Sequence, residues 1–252
     1  MNRRTIAFVV FAIALAAGCV RLGIWQLSRL DERRARNAAI SARLAEPRAP
    51  LSAALADSAG ARYRQVQAAG RFDYEREIVH TSRTRRGAPG VQIVTPLILE
   101  GGSAVLVNRG WVYSPNGMTV DLQRWREGDS ADVTGYLEAF AEPADAGAGN
   151  VSTPSLPRGV RRLQRDSVAA LFPYSVAPFV LVRRDGADQT GEVQHPFRVD
   201  LPALDEGAHR GYALQWFAFA FIAVAGTGAV LLRGQGGGDR RGGGPRGRRP
   251  GA

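Results

Sequence analysis

Two long apolar runs stand near the ends of the chain, and between them the pattern breaks into short alternating stretches. Residues 5–20 (TIAFVVFAIALAAGCV) carry no charge, and the apolar character resumes past Arg21 through residues 22–27. A helix over 5–27 is about 34 Å long at ~1.5 Å per residue, enough for a hydrocarbon core of roughly 30 Å. Residues 211–232 (GYALQWFAFAFIAVAGTGAVLL) carry the stronger signal, 22 positions without a charge. The spacing of 31–44 (DERRARNAAISARL) predicts that the first helix continues out of the membrane. Runs at 63–69, 77–81, 91–99, 103–112, 132–140 and 178–184, bounded by turn residues, predict strands, with Gly101-Gly102 joining two of them as a hairpin. Residues 166–172 predict a helix, and 142–158 (EPADAGAGNVSTPSLPR) a Pro/Gly-rich loop.

The fold class expected is therefore a membrane protein in which two transmembrane helices flank an external α+β domain of mostly antiparallel strands. Its layout is a cytoplasmic N-terminus (1–4), helix 1 (5–27), the external domain (28–210), helix 2 (211–232) and a Gly/Arg-rich cytoplasmic tail (233–252). That tail is too poor in apolar residues to fold. Glycines 18, 226 and 228 are small enough to let the helices pack closely.

Charge refines this layout. The formal +10 is carried by arginine, with no lysine among 33 basic residues, in a chain also rich in Ala and Gly. Two arginines at 1–4, and six arginines against one aspartate at 233–252, account for +7 of it. The excess is thus mostly terminal and points away from a nucleic-acid partner, although a basic juxtamembrane tail suits anionic lipid. Arginine accumulates on the cytoplasmic side of membrane helices. The second helix is followed by Arg233, Arg240, Arg241, Arg246, Arg248 and Arg249, and closely preceded only by Arg210. Two spans put both termini on one side, so both are expected in the cytoplasm, with the intervening segment outside. No amphipathic arginine- and serine-rich leader precedes Thr5, which argues for a bacterial plasma membrane rather than an organelle.

Cys19 is the single cysteine, so no internal disulfide is available. Leu15-Ala16-Ala17-Gly18-Cys19 also resembles a lipoprotein signal, but its leucine stands one place too far from the cysteine and the apolar run continues past it; a retained helix is expected. There is no GxSxG, HExxH, Walker loop or GxGxxG between strand and helix, and an enzyme is not expected. His80 and His195 read as surface or satisfied core residues. His209 stands at the outer mouth of the second span, with Tyr212 and Trp216 on the same helical face. Such an imidazole can hold a haem iron axially; an interfacial residue above an aromatic belt is the plainer alternative. Trp25 and Gln26 are expected at the depth of Gln215 and Trp216, with Arg21 and Arg29 near the outer interface, suited to headgroup phosphates or to the carboxylates of an amphiphile.

Several pieces together resemble the surfeit-locus cytochrome oxidase assembly (Surf/Shy) family. They are Leu22-Gly23-Ile24-Trp25-Gln26-Leu27-Ser28-Arg29, Pro89-Gly90 with Val94-Thr95-Pro96-Leu97, Val107-Asn108-Arg109-Gly110-Trp111-Val112, and the stretch from His209 to Phe217. The resemblance implies a non-enzymatic inner-membrane factor that helps mature the main subunit of a haem-copper terminal oxidase. It implies haem a as cofactor and His209 as the residue at the iron; Tyr212, Trp216, Trp25, Gln26 and Arg29, placed by helical face and depth, are the residues expected around it. The partners implied are the main oxidase subunit, the haem a synthesis machinery and the lipid membrane. Arg109 and Trp111 either form a surface presented to a partner or serve the fold as a strand-end turn. A scaffold that binds no cofactor, and an acylated surface protein, are the other readings.

Overall fold

In chain order the elements are α1 (Arg3–Ala45), β1 (Ala49–Pro50), α2 (Leu51–Ala56), β2 (Gln65–Phe72), β3 (Ile78–Arg85), β4 (Ala88–Ile98), β5 (Ala104–Tyr113), β6 (Ser130–Ala139), β7 (Gly159–Val160), α3 (Arg165–Ala169), β8 (Val176–Arg183) and α4 (His209–Gly236). They come from a computed structural model that describes residues 2–142, 158–185 and 195–236. Most of the expected 142–158 loop and the tail beyond residue 236 lie outside the described residues. Two compact units emerge: Met1–Ala38 with Leu204–Ala252, and Ala39–Ala203.

In the first unit, α1 and α4 are each long and apolar enough to cross a membrane. The 43 residues of α1 reach about 65 Å at ~1.5 Å each, roughly twice a hydrocarbon core, so the helix runs on past its charge-free part until Pro47 forbids continuation. Buried and half-buried positions on α1 recur as Thr5, Val9, Ala12, Ala16, Cys19, Gly23, Gln26, Leu30, Arg33 and Asn37. This alternation of four and three is a seven-residue period, the spacing that keeps one seam of a helix against a partner. On α4 the corresponding stripe is Ala213, Trp216, Ala220, Ala223 and Thr227. Ala16, Cys19 and Ala220 pack together with Trp216 and Ala223, so the two helices run antiparallel.

Small side chains on the α1 seam receive aromatic ones from α4. A Cβ added to Gly23 would lie 2.7 Å from both Cε1 and Cζ of Phe217, so the ring occupies the space a side chain would need. The glycines expected to mediate packing do not. Nothing lies within 4 Å of a Cβ built on Gly18, Gly226 or Gly228, which fall off the seam. The flanks carry Phe11, Ile13, Ile24, Leu214, Phe221 and Ile222, all exposed, as suits helices whose solvent is lipid.

In the second unit the strands close on themselves. Antiparallel pairs β2–β6, β6–β8 and β4–β5 join the parallel pair β5–β8, and β4 pairs back to β2 through Arg71↔Ile98 and Phe72↔Leu97. The result is a five-stranded Greek-key barrel. β3 continues β2 after a 3-10 turn at Tyr74–Arg76 and pairs antiparallel with the other end of β4, while β1 and β7 add short parallel pairs. Val66, Phe72, Leu97, Val105, Val107, Val133, Leu137 and Leu181 fill the interior, with α2 contributing Leu51 and Ala54.

All six expected strands form, and Gly101-Gly102 turns β4 into β5. β3 runs four residues beyond its expected end, because an irregularity between His80 and Arg83, with Ser82 at φ 57°, breaks the alternation without ending the pairing. The helix expected at 166–172 is shorter, Arg165–Ala169. The expected class of two apolar terminal helices flanking an α+β domain of mostly antiparallel strands is the one observed.

Candidate functional site

His209 is the first residue of α4, where the seam of the helix pair leaves its apolar stretch. Its Nδ1 lies 2.8 Å from Oε1 of Gln26 on α1. A carbonyl oxygen only accepts, so Nδ1 is the donor in this bond and Nε2 is the ring nitrogen left for a further contact. An orienting partner on one ring nitrogen, with the other free to donate electrons, is the arrangement that ligating imidazoles use. Gly207 faces that edge: even a Cβ added there would stay 3.7 Å from Nε2.

The chain just before α4 is tied to the C-terminal half of α1. Arg34 donates to both oxygens of Glu206 at 2.8 and 2.9 Å, while Arg33 Nε and Asn37 Nδ2 donate to the carbonyl of Asp205 at 3.2 and 3.0 Å. The hydrogen bond from Arg34 holds the Glu206 carboxyl below its ordinary range. These contacts fix the entry of α4, and with it the position of the His209 ring.

The other residues expected around His209 are spread along the pair. Trp25 and Arg29 lie together on the flank of α1, the guanidinium 5.7 Å from the ring centroid, and Arg29 is also bonded to Glu32 at 2.7 Å. Tyr212 is half exposed, one step off the seam. Trp216 is in the seam but deeper, edge-on to Phe219 at 5.9 Å. Gln26 stands level with His209 rather than with Gln215 and Trp216, as the sequence suggested, because Phe217 over Gly23 sets the register.

Arg109 and Trp111 prove to be interior residues. Arg109 is on β5 with Val105 and Val107, pointing into the barrel, and is 0% exposed. Its Nη1 donates to Glu77 at 2.8 Å and its Nε to Glu127 at 3.0 Å, with its guanidinium 5.2 Å from the Tyr74 ring centroid. Glu127 is shared: Arg198 donates to it at 2.6 Å and Arg183 lies at 3.1 Å, bound in turn to Asp185 at 2.6 Å. Burial disfavours the Glu127 carboxylate, but the hydrogen bond and charge of Arg198, with the charges of Arg183 and Arg109, outweigh it and hold its pKa below the ordinary value. Burial prevails at Glu77 and raises it, against the pull of Thr95 and Arg109.

Trp111 is buried against Phe197 and exchanges backbone hydrogen bonds with it at 2.7 and 2.8 Å. Enclosed side chains offer no surface, so the expectation of a face presented by Arg109 and Trp111 gives way to the structural one. Gly110, between them, sits at φ 136° where a Cβ would be 2.3 Å from the Phe197 carbonyl, a position only glycine takes. The carboxylates of this network were not found from the sequence, where Glu77, Glu127 and Asp185 are scattered and carry no common spacing.

Among the described residues, no group of three or more His, Cys, Asp or Glu is placed to hold a metal ion. A sequence profile described as the SURF1 family matches residues 13–221, from the α1 seam to the middle of α4. A protein called uncharacterized SURF1-like in Mycobacterium tuberculosis is 27% identical over 230 residues, covering 88% of this chain and 81% of its own length. A SURF1-like protein of Rickettsia conorii is 31% identical over 229 residues, 89% of each chain. A SURF1-like protein of the eukaryote Monosiga brevicollis is 26% identical over 245 residues, covering 86% of this chain and 84% of that one.

Proposed function

Because the chain belongs to the SURF1 family, we propose that it is an assembly factor for a haem-copper terminal oxidase, seated in a bacterial plasma membrane and holding haem a for the main oxidase subunit. The observation that carries the haem reading is the His209 Nδ1 to Gln26 Oε1 bond at 2.8 Å. It leaves Nε2 as the one imidazole nitrogen that could hold a metal bringing its own macrocycle. His209 would hold the iron and Gln26 would orient the ring. The porphyrin needs apolar walls, which Trp25, Tyr212 and Trp216 can offer from the two helices, and its propionates need donors, for which Arg21, Arg29 and Arg210 are the candidates. Bound there, the group supplies an iron centre for delivery rather than a reaction of this chain. The chain's own part is to bind an apolar cofactor at a membrane boundary and keep it from water. The main oxidase subunit and the haem a synthesis machinery are the partners this role requires.

Purification from a host that makes haem a, followed by an absorption spectrum, tests the reading. The wild-type chain is expected to carry haem a, His209→Ala to lose it, and Gln26→Leu to retain less with an altered spectrum. Unchanged occupancy and spectrum in His209→Ala would exclude the histidine as a ligand. No haem above background in the wild type would favour a cofactor-free scaffold for the oxidase subunit.

A further inference from the structure

Side chains of the barrel strands alternate between the interior and an outer face, and the outer face changes character along its length. At one end Ile78, Val94, Leu106 and Val180 pack beneath Leu163 and Val168. At the other end β3 and β4 place His80 opposite Gln92, while Asn108 of β5 stands beside Val182 of β8. Asn108 Nδ2 donates to Gln92 Oε1 at 3.1 Å, and Asn108 Oδ1 accepts from the Gly110 amide at 3.2 Å. A cavity of about 500 Å³ opens over this row, within the ~300–1,000 Å³ of small-molecule sites.

Two polar groups at the cavity are incompletely satisfied. His80 is 9% exposed, and its Nδ1 is buried without a hydrogen-bond partner. Arg83 is bonded only to the carbonyls of Thr81 and Arg161, at 3.2 and 2.9 Å, and no carboxylate of the described residues pairs with it. Burial and the charge of Arg83 lower the pKa of His80 to about 4, against hydrogen bonds to Gln92 and the Arg161 backbone, so its ring is neutral at pH 7. Of the other charges lining the cavity, Arg62 is paired with Glu138 at 3.3 Å, and Arg162 and Glu142 stand at its edge. Beside the polar row lie Phe140, Val180 and Val182.

We propose that this cavity binds a small organic anion, its carboxylate or phosphate group on the Arg83 guanidinium beside the His80 ring and its short apolar body along Val180, Val182 and Phe140. The oxyanion supplies the counter-charge that Arg83 lacks, and the apolar wall takes up the short body of the ligand. The site belongs to the strand domain and does not depend on the helix pair.

The test uses the full chain in lipid nanodiscs with ring-labelled histidine, whose three imidazole signals are followed by NMR. Sodium hexanoate is expected to shift the His80 signal saturably, with a dissociation constant on the order of 1 mM, and to leave His209 unmoved. Arg83→Gln is expected to weaken binding roughly tenfold, the loss of one charge-assisted contact. Ala139→Trp, which fills the cavity from its rim without changing charge, is expected to abolish the shift in a chain that still folds. A saturable shift by inorganic phosphate, with the same dependence on Arg83, would support the site and assign the headgroup to phosphate. No saturable shift with either anion, an equal response to hexan-1-ol, or unchanged affinity in Arg83→Gln would each overturn the proposal.

Discussion

Glu127 answers to three guanidinium groups at once, and its removal leaves Arg109, Arg183 and Arg198 without their shared counter-charge in a site closed to water. Breaking a buried pair from one side costs about 3–5 kcal/mol, so Glu127→Gln is expected to destabilise the strand domain by that order at pH 7, measured by denaturant unfolding. Its pH dependence has a definite sign. The folded pKa of Glu127 lies below the ordinary 4.5, so the stability it contributes is complete above that value and is lost as pH falls through the lowered one. Asp185 acts in the same direction, held down by Arg183 against its burial. Glu77 acts oppositely, since burial raises it and its ionisation costs stability as pH rises past 4.5. Unfolding curves from pH 7 to 3 should show an acid limb that is shallower in Glu127→Gln. None of these partners could be named from the sequence: Arg109 is legible as a conspicuous arginine after a strand, but its burial depends on barrel closure. His209 and Gln26 were both legible as candidates, because each stands at the end of an apolar run; their bond was not.

At the level of elements, the helix pair is defined by a seam of small residues whose spacing can be read directly from α1, where Ala12, Ala16, Cys19 and Gly23 alternate at four and three. What the seam receives is decided by the partner, and Phe217 over Gly23 is the contact that fixes register. Cys19 packs in one cluster with Ala220. An Ala220→Cys substitution is therefore expected to give a disulfide crosslink between Cys19 and the introduced thiol on mild oxidation, identified by mass spectrometry. Adding Gly23→Leu should reduce that crosslink several-fold, because the larger side chain displaces the ring; an undiminished yield would mean the register does not rest on Phe217. Strands were similarly legible one by one. The irregularity at Ser82 was not, since a bulge alters pairing without altering composition.

For the molecule as a whole, the terminal arginines bear on orientation more than on binding. If both termini are cytoplasmic, a membrane-impermeant maleimide applied to intact cells should label Tyr113→Cys, an exposed position of the strand domain, in a Cys19→Ser background. The tail variant Arg240→Cys should react only after the membrane is opened; the reverse pattern would invert the topology. Hydropathy and alternation determined two membrane helices and six strands, and the family resemblance was carried by short motif pieces, because these signals lie within a few residues of one another along the chain. The tertiary structure alone decided that β4 closes the barrel onto β2, that Arg109 meets carboxylates 32 and 18 positions away, and that Gln26 reaches His209 across 183 positions. It also decided that His80 and Arg83 share a cavity with Asn108. Each depends on which distant segments become neighbours, and that is set by register and closure, which local pattern does not encode.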